Sequence, residues 1–196
     1  DLGDLHHSEL NVLLLATRSA DELLGILSSL PEGCVDGIHV AILWRSLGNH
    51  LQAVASASAR LAWLRGSTEY SCMEGDVLQH SHAQLALLFT VTDKVLTSQT
   101  FKCLCDVVCG VAKCGFSELG PEEPARRRAI MLLCSACDHA VRMAPPTDPD
   151  LFGRLLWGFG KAKFSATAVG GQALFLHLAR LVHNSNFGGC RDAAPS

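Results

Sequence analysis

Apolar residues recur along the chain with a spacing near 3.6 residues, and the two-residue alternation typical of strands is almost absent. This pattern predicts about nine amphipathic helices joined by short polar turns. We expect an all-α fold, a right-handed stack of antiparallel helical hairpins, or α-solenoid. The predicted helices cover residues 9–18, 20–30, 37–48, 51–64, 81–96, 98–115, 125–143, 150–163 and 166–183.

Capping and helix-breaking residues mark several of the predicted helix ends. Ser8 is expected to cap the first helix and Ser98 the sixth, because a serine hydroxyl accepts hydrogen bonds from the free N–H groups of a first turn. Gly115 is expected to end the sixth helix, since glycine readily adopts the left-handed conformation of a C-terminal cap. The alternation of caps and apolar runs supports consecutive hairpins.

The domain organisation follows from the same pattern. Residues 65–76 contain two glycines and no periodicity, which predicts a long loop or repeat boundary. We expect a single helical-repeat array over residues 1–184 with a looser boundary near 65–77. Residues 185–196 are rich in glycine and small residues and predict a flexible tail.

Two segments of the chain repeat each other. Residues 109–116 and 157–164 align without a gap at an offset of 48, and each follows two aliphatic residues. Residues 43–48 form a looser copy. In such a repeat the large residue fills the gap between hairpins, the small one lets helices approach, and the basic one lies at a helix end. The alternative is that amphipathic hairpins produce such matches by themselves.

The run Leu-Leu-Trp-Gly-Phe-Gly-Lys-Ala at 155–162 resembles the signature helix of octotricopeptide-type repeats. It also resembles the related helical arrays of RAP-domain and FAST-kinase-like organellar proteins, and residues 107–116 are a second, weaker copy. This resemblance implies a surface of successive hairpins that binds organellar RNA, often ribosomal RNA.

Composition indicates an ordered chain, because 48% of its residues are hydrophobic and 18% are charged. The net charge of −3 hides an asymmetry: residues 1–98 hold 5 Lys/Arg and 11 Asp/Glu, whereas residues 99–196 hold 11 and 8. The basic second half is compatible with an anionic partner. A chance distribution of solvated charges explains it equally well.

Six basic residues are the candidates for contact with RNA phosphates, because guanidinium and ammonium groups pair with phosphate oxygens independently of base sequence. They are Arg126, Arg127, Arg128, Lys161, Lys163 and Lys113. The arginine triplet opens a predicted helix, where positive charge is unfavourable unless an anion compensates it. The competing interpretation is a solvated helix start that Glu122 and Glu123 neutralise.

The three tryptophans, Trp44, Trp63 and Trp157, lie in apolar periodic segments. We therefore expect them to fill gaps between helices, not to stack on bases.

The nine cysteines are odd in number and lie mostly in apolar helical segments, which argues against a disulfide framework and for a reducing compartment. Cys134 and Cys137 share one helix face, as do Cys105 and Cys109, so two helices could offer four thiolates to zinc or an iron–sulfur cluster. Because cysteine is also a common small buried residue, we expect packing and no metal or cofactor.

No catalytic constellation is evident. The chain has no phosphate loop, no dinucleotide fingerprint and no Gly-x-Ser-x-Gly elbow, and no cysteine stands in a strained turn. His6, His7, His80 and His82 lie near predicted helix starts, where we expect polar turn residues and not ligands. We expect a protein that is not an enzyme.

These features together give a functional expectation. No apolar run reaches the roughly 18 residues of a membrane span, and the start at Asp1 without an initiator Met predicts a processed form or a fragment. We expect a noncatalytic RNA-associated helical-repeat protein of the mitochondrial matrix. It would be a structural component of a mitochondrial ribosome, with ribosomal RNA and neighbouring proteins as partners. The alternatives are a protein-interaction scaffold subunit of another mitochondrial complex, and a location in another organelle or the cytosol.

Overall fold

The chain forms eight α-helices and no strand within the residues that the structure describes. A computed structural model describes residues 6–54, 56–66, 75–144, 146, 148, 150–164, 176 and 179, with the backbone alone for 75–81. The helices are α1 (His7–Ala16), α2 (Ala20–Ser29), α3 (Gly37–Ala53), α4 (Ala57–Arg65), α5 (Gly75–Val95), α6 (Phe101–Cys114), α7 (Pro124–Arg142) and α8 (Asp150–Lys161). Short 3-10 turns follow α5 (Leu96–Ser98) and α6 (Phe116–Glu118). The all-α expectation is confirmed.

Two predictions fall mainly outside the described residues. Of the predicted ninth helix, 166–183, the structure describes residues 176 and 179, and it describes none of the tail 185–196. Within the described part of the chain, every helix is too short or too polar to cross a lipid bilayer.

Side-chain caps explain where several helices begin and end. The Ser19 hydroxyl accepts a hydrogen bond from the backbone N–H of Glu22 at the start of α2 (3.1 Å). Gly115 ends α6 in the left-handed conformation (φ 85°), as predicted. The predicted cap Ser98 is wrong: Thr100 caps α6, because its hydroxyl accepts from Cys103 N–H (3.3 Å).

Other helix bounds also differ from the prediction. The N-cap of α1 is His6 instead of Ser8, and the His6 backbone N–H donates to Glu9 Oε2 (2.9 Å). Helix α3 continues past Gly48 to Ala53, because the buried stripe of the helix extends to Leu51. The turn of the second hairpin therefore lies immediately before α4 and not at Asn49.

Helix α6 has the most extensive packing in the described chain, since it lies against α3 on one side and α8 on the other. Contacts run through α1, α3, α6 and α8 in this order, and a second series runs through α2, α5 and α7. Further contacts between α2 and α3, between α3 and α5 and between α6 and α7 join the two series. Each series therefore skips helices along the chain.

Glycines allow the closest of these helix approaches. A Cβ atom added to Gly48 on α3 would lie 2.7 Å from the carbonyl oxygen of Gly110 on α6, and one added to Gly110 would overlap the carbonyl group of Trp44. A Cβ atom on Gly158 of α8 would lie 2.8 Å from Val108 Cγ1. Gly110 and Gly158 are equivalent in the repeat of offset 48, so each faces the helix that precedes it in the packed series.

An aromatic cluster occupies the core beside the α3–α6 crossing. Trp44 is fully buried, and its ring centroid lies 5.1 Å from that of Phe89 and 6.3 Å from that of Phe116. Its indole Nε1–H donates to Thr92 Oγ1 (2.8 Å), which satisfies the buried polar atom. Trp44 thus fills the gap between helices, as predicted.

We expect Gly110→Ala to lower the free energy of unfolding by about 1–3 kcal/mol or more, because the new methyl group would overlap the backbone of α3. Gly25→Ala in α2 is the matched control, since nothing lies within 4 Å of its Cβ position. The control should stabilise the chain by roughly 0.5–1 kcal/mol. Urea unfolding followed by circular dichroism measures both, and equal effects would contradict the close crossing.

Candidate nucleic-acid interface

The predicted basic triplet at the start of α7 does not form one patch. Arg126 Nη1 donates to the carbonyl oxygen of Leu119 (2.6 Å), whereas Arg127 forms an ion pair with Glu122. Arg128 places its guanidinium carbon 5.6 Å from the centroid of the Phe89 ring. The three side chains therefore have three different environments, and the carboxylate of Glu122 already neutralises the middle one.

The structure does bring Arg126 close to Lys163. Both line a cavity of about 180 Å³ between α7 and the end of α8. The other lining residues are mostly apolar and include Phe116, Leu133 and Phe164. This cavity suits an apolar group better than a phosphate.

A second group of basic residues lies in a groove between α6 and α8. Cys109 and Lys113 from α6 and Gly153, Arg154 and Trp157 from α8 line this groove of about 270 Å³. Cys109 and Lys113 lie one turn apart on α6, and Gly153 and Trp157 lie one turn apart on α8, so each pair shares one helix face. The close approach of the helices at Gly158 brings these two faces together.

The two basic residues of the groove differ in whether their partner is charged or neutral. Arg154 forms an ion pair with Asp106, which is mostly buried and fixes the guanidinium at the wall of the groove. Lys113 Nζ donates to the amide oxygen of Asn49 on α3 (2.8 Å). Because this acceptor is neutral, the positive charge of Lys113 remains available to an anionic partner.

Trp157 departs from the sequence prediction. Its side chain is 48% exposed, whereas Trp44 is fully buried and Trp63 is half-buried, with its Nε1 donating to Asp21 Oδ1 (3.0 Å). The expectation that tryptophans fill gaps is thus wrong for Trp157. An exposed indole beside cations provides a flat apolar surface on which a base or another ring can stack.

The same surface extends onto neighbouring turns. Lys161 lies one turn after Trp157 on α8 and is exposed, and Arg45 lies one turn before Asn49 on α3. Within the described residues, neither Lys161 nor Arg45 has a carboxylate within ion-pair distance. We call the surface formed by Arg45, Lys113, Arg154, Trp157 and Lys161 the α3–α6–α8 face.

Sequence reasoning found Lys113 and Lys161 but missed Arg154 and Arg45. The signal for Arg154 was present: it lies 48 residues after Asp106, the offset of the repeat, so the two residues occupy equivalent positions on adjacent helices. The ion pair joins these two equivalent positions.

The candidate metal ligands Cys105, Cys109, Cys134 and Cys137 do not form a metal cluster in the described chain. The Cys105 and Cys109 thiols on α6 donate to backbone carbonyls of α8, at Leu151 (3.2 Å) and Arg154 (3.3 Å). Burial raises the pKa of the Cys105 thiol to about 12 and also raises the pKa of Cys109 and of Cys134. In the described chain the Cys105 and Cys109 thiols therefore act as hydrogen-bond donors in the contact between α6 and α8.

No protein-family model, no curated protein and no solved structure matches this chain.

We expect Cys105 in the native chain to react with iodoacetamide at pH 8 far more slowly than Cys34, which is partly exposed. Because burial raises the pKa of Cys105 to about 12, the reactive thiolate stays scarce until the pH approaches that value. Peptide mass spectrometry measures the two rates, and the urea-unfolded chain is the control in which they should converge. Equal rates in the native chain would contradict the buried position of Cys105.

Proposed function

We propose that this chain is a noncatalytic helical-repeat protein that binds single-stranded RNA on the α3–α6–α8 face. The main observation that supports RNA binding is that Trp157 is half-exposed in a groove with Lys113 and Arg154. Base stacking on an aromatic ring and phosphate contact with adjacent cations are the two interactions that hold single strands without sequence preference.

The spacing along α8 supports this proposal. Trp157 and Lys161 are one helical turn apart, so a base on the indole would bring the following phosphate towards the ammonium group. Lys113 approaches from α6, and no carboxylate in the described part of the chain lies within ion-pair distance of it. The face thus offers one stacking surface and cations on both of its sides.

The proposal includes a stack of helical hairpins. The two series of contacts, α1–α3–α6–α8 and α2–α5–α7, support two parallel layers as in an α-solenoid. The equivalent glycines Gly110 and Gly158, each facing the preceding helix of its layer, support repeated units with one packing rule. Such layers present the same helix face at regular intervals, which suits an extended strand.

The resemblance of residues 155–162 to organellar RNA-binding repeats supports a location in an organelle. We place the chain in a mitochondrial ribonucleoprotein, with a structural role in the ribosome as the specific form of the proposal. A structural role agrees with ion pairs that join distant parts of the chain, as in Arg60–Glu118 and Arg65–Glu123.

A protein-interaction scaffold is the second candidate. Val12 (67% exposed) and Leu15 (52% exposed) on α1, with Ile38 (53% exposed) at the start of α3, favour it because exposed apolar side chains mark contact surfaces. Binding through these residues would depend little on salt concentration, whereas phosphate contacts weaken steeply as salt rises.

We expect Trp157→Ala to weaken binding of a fluorescent 12-nucleotide RNA by roughly 5- to 150-fold, because one stacked base is lost. Fluorescence anisotropy at low salt measures the affinity. Met131→Ala is the matched control, since Met131 is 69% exposed on α7 and lies outside the face. Equal affinities for both variants would exclude the groove, and absence of RNA binding in the unmodified chain would favour the scaffold.

We expect the double variant Lys113→Ala/Lys161→Ala to reduce the slope of log affinity against log salt concentration by about 1.4, because two phosphate contacts disappear. Lys94→Ala is the control, since Lys94 is paired with Glu32 and lies on α5. An unchanged slope would contradict phosphate contact by these two lysines.

In cells, crosslinking and immunoprecipitation followed by RNA sequencing tests the organellar part of the proposal. We expect organellar ribosomal RNA fragments with the unmodified chain and few with Trp157→Ala. Recovery of protein partners without RNA would overturn the proposal and support the scaffold.

A further inference from the structure

Two imidazoles and one carboxylate converge where α1 and α3 begin. His7 is the first residue of α1, Asp36 caps α3, and His39 is the third residue of α3. One possible ligand atom from each lies within 4.8 Å of the other two. His7 Nδ1 is 3.5 Å from Asp36 Oδ2, and His39 Nδ1 is 2.8 Å from Asp36 Oδ1.

The two oxygens of Asp36 have different tasks. Oδ1 accepts hydrogen bonds from the backbone N–H groups of Ile38 and His39, both at 2.9 Å, which is the capping interaction. Oδ2 is the oxygen that faces His7. The carboxylate can therefore offer one oxygen to a cation while the other keeps α3 capped.

The buried His39 contributes its Nδ1 nitrogen to this cluster. Its side chain is 1% exposed, its Nε2 has no hydrogen-bond partner among the described residues, and its Nδ1 accepts a long hydrogen bond from the Asp36 N–H (3.2 Å). The same Nδ1 lies 2.8 Å from Asp36 Oδ1, so a metal ion bound to this nitrogen would take the place of these contacts.

The two imidazole rings are also in contact. The His7 and His39 ring centroids lie 5.0 Å apart with an interplanar angle of 22°. No lysine or arginine of the described chain forms an ion pair with Asp36, which leaves the carboxylate without a permanent cation.

We propose that His7, Asp36 and His39 form a binding site for one divalent transition-metal ion of the zinc type. Two imidazole nitrogens and one carboxylate oxygen are a recurrent zinc set, whereas calcium and magnesium prefer oxygen ligands alone. His7 is 68% exposed, so the fourth position would be open to water. The positive ends of α1 and α3 oppose a cation here, and the Asp36 charge offsets this effect.

The ion would link the first turn of α1 to the first turn of α3. Helix α1 contributes only two fully buried side chains, Leu10 and Leu14, so its attachment would gain from a second point of contact. This role is structural and independent of RNA binding on the α3–α6–α8 face.

The test measures Zn²⁺ affinity of the full chain by competition with a chromophoric chelator. Asp36→Asn is the first variant, because asparagine preserves the cap of α3 and removes the charged ligand. His7→Ala is the second, because its side chain is exposed and its removal leaves the core intact. Both should weaken Zn²⁺ binding by about tenfold or more, since even outer partners of a metal site contribute 10–100-fold.

His6→Ala is the matched control, since the His6 ring lies beside His7 (6.5 Å between ring centroids) but is not one of the three ligands. Zn²⁺ at about 100 times its Kd should raise the Tm of the unmodified chain and of this control by roughly 5–10 °C, and leave both variants nearly unchanged. Circular dichroism without metal confirms that each variant is folded.

Co²⁺ as a spectroscopic probe separates this site from the cysteines. We expect visible bands of nitrogen and oxygen ligation without a thiolate charge-transfer band, and their loss in Asp36→Asn. A thiolate band, equal Zn²⁺ affinity in all four proteins, or no Zn²⁺ binding by the unmodified chain would overturn the proposal.

Discussion

The close crossing of α3 and α6 is the contact on which the remaining structure depends. It exists because Gly48 and Gly110 have no Cβ atoms at the point where the two backbones meet. This approach places Trp44 in the core against Phe89 of α5 and Phe116 of the following turn, and its indole N–H reaches Thr92. One glycine-mediated contact therefore joins α3, α5 and α6 and satisfies the buried polar atom of the largest core side chain.

A second glycine-mediated helix contact positions the candidate RNA surface. Gly158 faces α6 and brings α8 against it, and the neighbouring Trp157, about 100° further round the helix, lies at the open side of the groove. Lys113 reaches this groove from α6 because it lies one turn after Cys109. The exposure of Trp157 is thus a geometric consequence of which residue of the Trp-Gly pair contacts the adjacent helix.

Ion pairs compensate part of the charge in the second half of the sequence. Arg127 pairs with Glu122 and Arg154 with Asp106, whereas Glu118 and Glu123 pair with Arg60 and Arg65 of α4. The cysteine thiols of α6 also have partners within the fold, since they donate hydrogen bonds to backbone carbonyls of α8. Basic residues such as Lys113, with no carboxylate of the described residues within ion-pair distance, are therefore more informative than the net charge.

The sequence by itself determined the helices, because apolar spacing and capping residues act within a few positions of one another. Ser19 and Gly115 mark ends that need no distant partner. The repeat of offset 48 also contained the equivalence of Gly110 and Gly158. Periodicity reports which face of a helix is apolar, but it does not report what covers that face.

Only the tertiary structure decided which side chains are buried and which distant residues meet. It buried Trp44 and exposed Trp157, although both lie in similar apolar runs. It separated the three arginines of α7, and it brought His7 next to Asp36 and His39 across 29 residues of chain. The physical reason is the same in each case: helix packing, and not helix formation, selects which side chains meet and which remain in contact with water.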